Sequence, residues 1–140
     1  PDDLVWVHDY HLLPLGQQLR ERGFRNRIGF FLHIPWPPPS LLISLPNHRE
    51  LVESLLDYDV VGFQSDEWRQ AFMDYVTAHL DAEIDGEFVS FGERRTRALV
   101  CPIGLDTADF CSAAHTLVAK QAQTQLMVSA VGRDMIVGVD

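Results

Sequence analysis

Cysteine is scarce in this sequence: of 140 residues, only Cys101 and Cys111 carry a thiol. Two cysteines in a chain of this size do not make the disulfide framework on which small secreted proteins depend. We therefore expect free thiols in a reducing compartment and a cytoplasmic location. A long apolar run and a charged leader are also missing, so the sequence predicts neither a membrane-spanning helix nor a signal peptide.

Basic residues are few as well. The 11 Lys and Arg residues stand against 20 Asp and Glu residues, which gives a formal net charge of −9. Phosphate backbones repel a chain of this charge, so the composition argues against a nucleic-acid partner. The arginines cluster at 20–27 and 94–97 with few aromatic residues among them. We interpret both clusters as helix-end and turn charges.

Several motifs that would identify an enzyme are absent. The sequence has no glycine-rich dinucleotide motif, no P-loop and no nucleophile elbow, and neither cysteine has a base beside it. His8 and His11 are three residues apart, but no zinc-like ligand pattern surrounds them. The missing ligand pattern argues against a metal-dependent hydrolase that uses His8, Asp9 and His11, which we keep as an alternative. The acidic motif Asp57-Tyr58-Asp59 precedes a strand, and we interpret it as a solvated turn.

Apolar strand-like segments alternate with amphipathic helix-like segments. The predicted strands are apolar on both faces, which is typical of a parallel sheet. The pattern predicts an α/β fold, with helices covering both faces of that sheet. The predicted strands are 4–8, 27–33, 58–64, 87–91, 97–101 and 135–140. The predicted helices are 12–22, with Pro14 in its first turn and Gly23 as its stop, one that starts at Pro46, 66–80 with Ser65 as its N-cap, and 107–126.

Polar side chains follow the first three predicted strands at the points where the strands end. Asp9 comes directly after one strand, His33 ends the next, and Gln64 ends the third. In open parallel sheets, ligands bind outside the carboxyl ends of the strands. We therefore expect Asp9 to accept hydrogen bonds from ligand hydroxyls and His33 to polarise a ligand oxygen or to accept a proton.

The residues after His33 are unusually stiff. Ile34-Pro35-Trp36-Pro37-Pro38-Pro39 contains four prolines, and each one fixes its own φ and holds the preceding residue extended. The sequence thus predicts that His33 lies on a rigid rim, as a preorganised binding site requires.

These segments resemble the trehalose-6-phosphate synthases, which are retaining glucosyltransferases of glycosyltransferase family 20. The resemblance extends in order and spacing over nearly the whole chain. It is carried by the segments 5–14 (VWVHDYHLLP), 27–37 (RIGFFLHIPWP), 57–64 (DYDVVGFQ), 102–106 (PIGLD) and 137–140 (VGVD).

The resemblance implies an enzyme of the GT-B type, in which two Rossmann-like domains face each other across the active site. It implies transfer of glucose from UDP- or GDP-glucose to glucose 6-phosphate with retention, without a metal or other cofactor. Asp9 then binds the acceptor sugar, and His33 lies beside the transferred glucose. Ile34 lies at a position linked to anomer selectivity, and Tyr10 is a candidate for the wall of the acceptor pocket.

The resemblance also implies domain boundaries. Residues 1–132 correspond to the C-terminal part of the acceptor-side Rossmann-like domain, and 133–140 correspond to the first strand of the nucleotide domain. The family's arginine and lysine for the donor pyrophosphate fall beyond Asp140, so we expect the 140-residue piece to be inactive alone. Besides the metal-dependent hydrolase, two alternatives remain, a transferase with another acceptor such as glycerol 3-phosphate and a non-catalytic module that binds sugar phosphates. We expect small-molecule substrates, and the complete enzyme is a candidate homo-oligomer.

Overall fold

The computed structural model describes residues 3–134 and 136. The chain divides into two compact units, one that ends at Ile103 and one that begins at Gly104. The strand predicted over 135–140 falls almost entirely outside the described residues.

The first unit is built on one sheet of six strands in the order β1-β2-β3-β6-β5-β4. The pairs β1–β2, β2–β3 and β3–β6 are parallel, and β5 pairs antiparallel with both β6 and β4. This arrangement confirms the predicted α/β class, and the predicted parallel pairing holds for four of the six strands. The strands are β1 Val5–His8, β2 Ile28–Phe31, β3 Val60–Phe63, β4 Glu83–Asp85, β5 Phe88–Phe91 and β6 Arg94–Val100.

Helices fill the connections between the parallel strands. In the first unit they are a 3-10 helix Tyr10–Leu12, α1 Leu15–Glu21, α2 Pro39–Leu42, α3 His48–Leu55 and α4 Asp66–Leu80. Two of the predicted helix signals are confirmed. The Ser65 hydroxyl caps α4 by accepting a hydrogen bond from the Trp68 amide, and Gly23 follows α1 with φ of 81°.

Other predicted bounds are wrong, for local reasons. The helix predicted over 12–22 is two elements, because Pro14 stands at the N-cap of α1 rather than inside it. The helix predicted from Pro46 begins at His48. Pro38 is extended, as predicted, and the next proline, Pro39, takes the first position of α2, which suits a residue without an N–H. Strand β4 was not predicted from its sequence Glu-Ile-Asp, which is polar and exposed.

The two faces of the sheet have different environments. On one face, alternate residues of the strands and the helices α1, α3 and α4 form a continuous core that contains Val7, Phe30 and Val61. The opposite face carries Trp6, Phe31 and Leu99, and Trp6 is 53% exposed. Phe31 is buried but does not belong to the core cluster. Within the first unit, the described helices therefore cover one face, and we call the other one the open face.

The second unit contains two helices where one was predicted over 107–126. They are α5 Thr107–Ala114 and α6 Leu117–Ala130. The break arises because the Thr116 hydroxyl accepts a hydrogen bond from the Ala119 amide and thereby starts a new helix. Among the described residues, no helix combines the length and apolarity that crossing a membrane requires.

Candidate active site

The carboxyl ends of β1, β2 and β3 lie next to one another at one edge of the sheet. His8 pairs with Phe31 in the register of β1 and β2, and the amide of Asp9 donates to the Phe31 carbonyl at 2.9 Å. The Leu32 amide in turn donates to the Gly62 carbonyl of β3 at 3.0 Å. The backbone therefore brings Asp9 and the residues that lead to His33 to the same edge, where parallel sheets bind ligands.

Asp9 has a strained backbone. Its φ is 69° and its ψ is 163°, a region that is essentially restricted to glycine. Its carboxylate Oδ1 accepts a hydrogen bond from the Tyr10 amide at 2.9 Å, which starts the 3-10 helix. One carboxylate oxygen is thereby held in place, while the side chain remains at a half-buried position from which it can accept further hydrogen bonds.

His33 contacts a second histidine. The distance between His33 Nε2 and His8 Nδ1 is 2.9 Å, and the two ring centres are 5.2 Å apart. The Phe31 ring meets the His33 ring edge-on at 4.8 Å, and Trp6 lies 5.9 Å from His8 on the other side. The His8–His33 contact was not predicted. The strand period of two puts Trp6 and His8 on one face of β1, but it does not by itself place His33 against His8.

The proline-rich segment after His33 is anchored by Trp36. The indole is buried and packs edge-on against Phe63 and Phe72, at centroid distances of 6.0 and 5.6 Å. A large buried ring holds a chain segment in place through the apolar area that it buries and through its edge-to-face contacts with neighbouring rings. Ile34, between His33 and this anchor, is 41% exposed and can contact a ligand.

The other candidate residues do not gather into a metal site. His8 Nδ1 is engaged with His33, and the His11 ring stacks on Tyr10 at 3.8 Å. Among the residues that the structure describes, no group of three or more His, Cys, Asp and Glu side chains is placed to hold a metal ion.

The Asp57-Tyr58-Asp59 motif lies at the opposite edge of the sheet and has a structural role. Asp59 Oδ2 accepts from the Ile28 amide at 2.7 Å and from the Arg20 guanidinium at 2.9 Å. The Asp57 side chain is 7% exposed and pairs with Arg94 at 3.2 Å. The interpretation of this motif as a solvated turn is therefore wrong for Asp57, whose side chain is buried in the turn before β3.

Gln64 fixes the chain at the end of β3. Its side-chain amide donates to the Ile103 carbonyl and accepts from the Ile103 amide, both at 3.1 Å. This pair of bonds holds the segment that follows β6 against the same edge of the sheet that carries Asp9 and His33. The sequence predicted Gln64 at a strand end but gave no partner for it.

The family profile that describes glycosyltransferase family 20 matches residues 1–140, the whole chain. The chain belongs to glycosyltransferase family 20. Two family 20 relatives are trehalose-6-phosphate synthases. The one from Cronobacter sakazakii is 46% identical over 134 residues, and the one from Sinorhizobium fredii is 42% identical over 142 residues. The alignments cover 94% and 100% of this chain but only 28% and 30% of the relatives, so the chain spans less than a third of their length.

Solved structures give the same result for the fold of the family 20 chain. An alpha,alpha-trehalose-phosphate synthase (UDP-forming) from Burkholderia xenovorans in complex with glucose-6-phosphate has a TM-score of 0.77 and 39% identity, over 90% of this chain and 29% of that one. A structure from E. coli bound with UDP-2-fluoro glucose has a TM-score of 0.79 and 39% identity, over 91% and 29% of the two chains. The chain therefore has the fold of the corresponding part of these solved synthase structures.

Proposed function

We propose that this chain is the acceptor-side part of a retaining glucosyltransferase that makes trehalose 6-phosphate. The observation that carries the proposal is the position of Asp9 and His33 after the ends of two neighbouring parallel strands, in a chain that matches family 20 from end to end. Function lies in such sites rather than in the fold itself.

The names of the relatives and of the similar structures support a choice of substrates for this chain. The relatives of this chain are named as trehalose-6-phosphate synthases, one similar structure holds glucose-6-phosphate and another is bound with UDP-2-fluoro glucose. We assign glucose 6-phosphate as the acceptor and UDP-glucose as the preferred donor over GDP-glucose. The donor is a co-substrate, and the proposal includes no metal or resident cofactor.

The site residues contribute to the reaction by positioning the two substrates. Retention without a covalent intermediate requires the acceptor hydroxyl and the leaving phosphate on the same face of the sugar. Correct orientation then supplies much of the barrier reduction. In this proposal the Asp9 carboxylate accepts hydrogen bonds from the acceptor sugar, and the His33 imidazole contacts the transferred glucose. The strained backbone of Asp9 supports this role, because such strain is concentrated at functional sites.

Two exposed neighbours complete the proposed pocket. Tyr10 is 47% exposed and follows Asp9 directly, so its ring can form a wall of the acceptor site. Ile34 follows His33 on the rim that Trp36 anchors, and we assign it to the wall that selects the anomer. Both positions are apolar surfaces beside polar groups, as carbohydrate and cofactor pockets commonly are.

The remaining assignments concern the whole protein. We propose that residues 1–132 belong to the acceptor-side domain and that 133–140 begin the nucleotide domain of a longer enzyme, which is a candidate homo-oligomer. A cytoplasmic location fits Cys101 and Cys111, which are both free and exposed.

The test is a substitution in the complete enzyme that contains this chain. Asp9→Asn keeps the shape of the side chain but removes its charge, and a charged hydrogen bond contributes about 1.5–3 kcal/mol. We expect kcat/KM for glucose 6-phosphate to fall by about 10- to 150-fold. Asp74→Asn, at an exposed carboxylate of α4, is the matched control and should retain full activity.

The acceptor is tested in the same assay with UDP-glucose and either glucose 6-phosphate or glycerol 3-phosphate. Turnover with glucose 6-phosphate supports the proposal, and turnover with glycerol 3-phosphate alone assigns the enzyme to another acceptor. An enzyme that binds glucose 6-phosphate without turnover is the non-catalytic module. Full activity of the folded Asp9→Asn variant would remove Asp9 from the mechanism.

A further inference from the structure

The contact between His8 and His33 has a chemical consequence that goes beyond packing. Two imidazole nitrogens 2.9 Å apart share one hydrogen. One nitrogen must donate and the other must accept, because two N–H groups or two lone pairs facing each other repel. The protonation of His33 Nε2 is therefore tied to the protonation of His8 Nδ1.

The sheet places the two exposed histidines side by side. His8 lies opposite Phe31 in the register of β1 and β2, and His33 follows Phe31 by two residues on the same face. The Phe31 ring packs on both imidazoles, at 6.5 Å from His8 and 4.8 Å from His33. Trp6 borders His8 from the other side at 5.9 Å. The two rings thus have neighbours that limit their rotation.

The engaged nitrogen determines what His33 can offer to a ligand. When Nε2 of a neutral imidazole accepts a hydrogen bond, its Nδ1 carries the hydrogen and is a donor. When Nε2 donates, Nδ1 is an acceptor. A hydrogen bond to one ring nitrogen thus fixes both the orientation and the tautomer of a functional histidine. Metal-binding histidines are held in the same manner.

We propose that His8 is a positioning residue, which holds the His33 ring in place and fixes the tautomer that His33 presents to the transferred sugar. This inference rests on the proposed function of His33. His8 itself contacts no reacting atom and acts through its hydrogen bond to His33. It therefore differs from the alternative in which His8 and His11 bind a metal ion.

The experiment compares variants of the complete enzyme. His8→Phe keeps an aromatic ring but cannot form the hydrogen bond, and we expect kcat to fall by about 10- to 100-fold with a smaller change in KM. His8→Asn carries a polar nitrogen at the place of Nδ1, so it should recover most of the lost kcat. His79→Phe, on α4 and far from this contact along the chain, is the control and should leave kcat unchanged.

A double-mutant cycle separates positioning from general packing. If His8 acts through His33, adding His8→Phe to a His33→Ala enzyme should change kcat less than twofold. A similar loss in both backgrounds, or no rescue by His8→Asn, would overturn the positioning role.

The cycle also separates this inference from the proposed function. A wild-type enzyme without glucosyl transfer, or a His33→Ala enzyme with full activity, contradicts the proposed function itself. An active wild type that is insensitive to His8→Phe contradicts only the inference about His8.

Discussion

Asp9 has the side chain that the proposed reaction needs, but its backbone conformation is one that favours glycine. Its φ of 69° and ψ of 163° are costly for any residue with a Cβ, by about 1–3 kcal/mol. In an ordinary position, glycine destabilises a protein relative to alanine, because glycine loses more conformational freedom on folding. At position 9 the order should be reversed.

We therefore expect Asp9→Gly to be more stable than Asp9→Ala by about 1–2 kcal/mol. Both variants lose the hydrogen bond to the Tyr10 amide, so this loss cancels in the comparison. Urea unfolding of the two variants measures the difference. Equal stability, or a more stable alanine variant, would show that the backbone at position 9 is not strained.

Asp57 is a buried carboxylate at the other edge of the sheet. Desolvation by burial raises the pKa of the Asp57 carboxyl above its ordinary value of 3.8, and the positive charges of Arg94 and Arg20 oppose this shift. The folded chain therefore holds the proton to a higher pH than the unfolded chain does. Above pH 3.8, unfolding releases this proton, so the contribution of Asp57 to stability falls as the pH rises toward the raised pKa.

Asp57→Asn removes this titration. We expect the stability of the wild type relative to Asp57→Asn to be greatest below pH 3.8 and to decrease as the pH rises above it. Urea midpoints of both proteins across a pH series measure the difference. A difference that stays constant or grows with pH would mean that the paired charge of Arg94 outweighs the burial.

At the scale of elements, Tyr58 joins helix α1 to the sheet. Its hydroxyl donates to the Leu12 carbonyl and accepts from the Gly16 amide, both at 2.9 Å. Gly16 lacks a side chain where a Cβ would lie 2.7 Å from the Tyr58 ring. The ring and the start of the helix therefore fit together, and the buried phenol satisfies two backbone groups that would otherwise lack a partner.

Tyr58→Phe keeps the ring but leaves both backbone groups unsatisfied, and we expect it to lower the free energy of unfolding by about 1–3 kcal/mol.

Burial also raises the pKa of Tyr58 from 10.0 to about 12. The unfolded chain thus loses the phenol proton first, and this contribution to stability decreases as the pH rises from 10 toward 12. The phenylalanine variant should lack that part of the alkaline decrease, which urea unfolding between these pH values can detect.

The elements differ in how far the sequence predicts them. The parallel strands β1, β2 and β3 were predicted because runs of four or five apolar residues, glycine included, leave few other structures possible. The strand-end positions of Asp9 and His33 followed from the same pattern. Short elements such as α2 and β4 were not predicted, because they are held by neighbouring chain segments rather than by a pattern of their own.

The His8–His33 contact shows a second limit. It depends on the register of β1 against β2, and a change of register by one residue would place the two side chains on different faces. Nothing in the local sequence fixes that register. The strain at Asp9 is likewise invisible in the sequence, because aspartate at a strand end is compatible with several turn conformations.

At the scale of the whole molecule, the open face exposes apolar side chains of a parallel sheet. Trp6 is 53% exposed and Leu4 is 60% exposed, beside Phe31, Val60 and Leu99, which line the same groove. Parallel sheets occur almost only with both faces covered, and large exposed apolar patches promote association. The His8–His33 pair lies at the carboxyl end of this face.

We expect the 140-residue chain alone to self-associate through the open face. Its net charge of −9 opposes association by repulsion, and salt screens that repulsion, so association should increase with salt concentration. Trp6→Lys puts a charge on the lining of the apolar groove and should suppress the association, as light scattering and binding of a hydrophobic dye can measure. Leu41→Lys on α2 is the matched control, since it makes the same change in net charge at a residue of 60% exposure outside the groove. Equal suppression by the two variants would show that net charge, and not the open face, controls association.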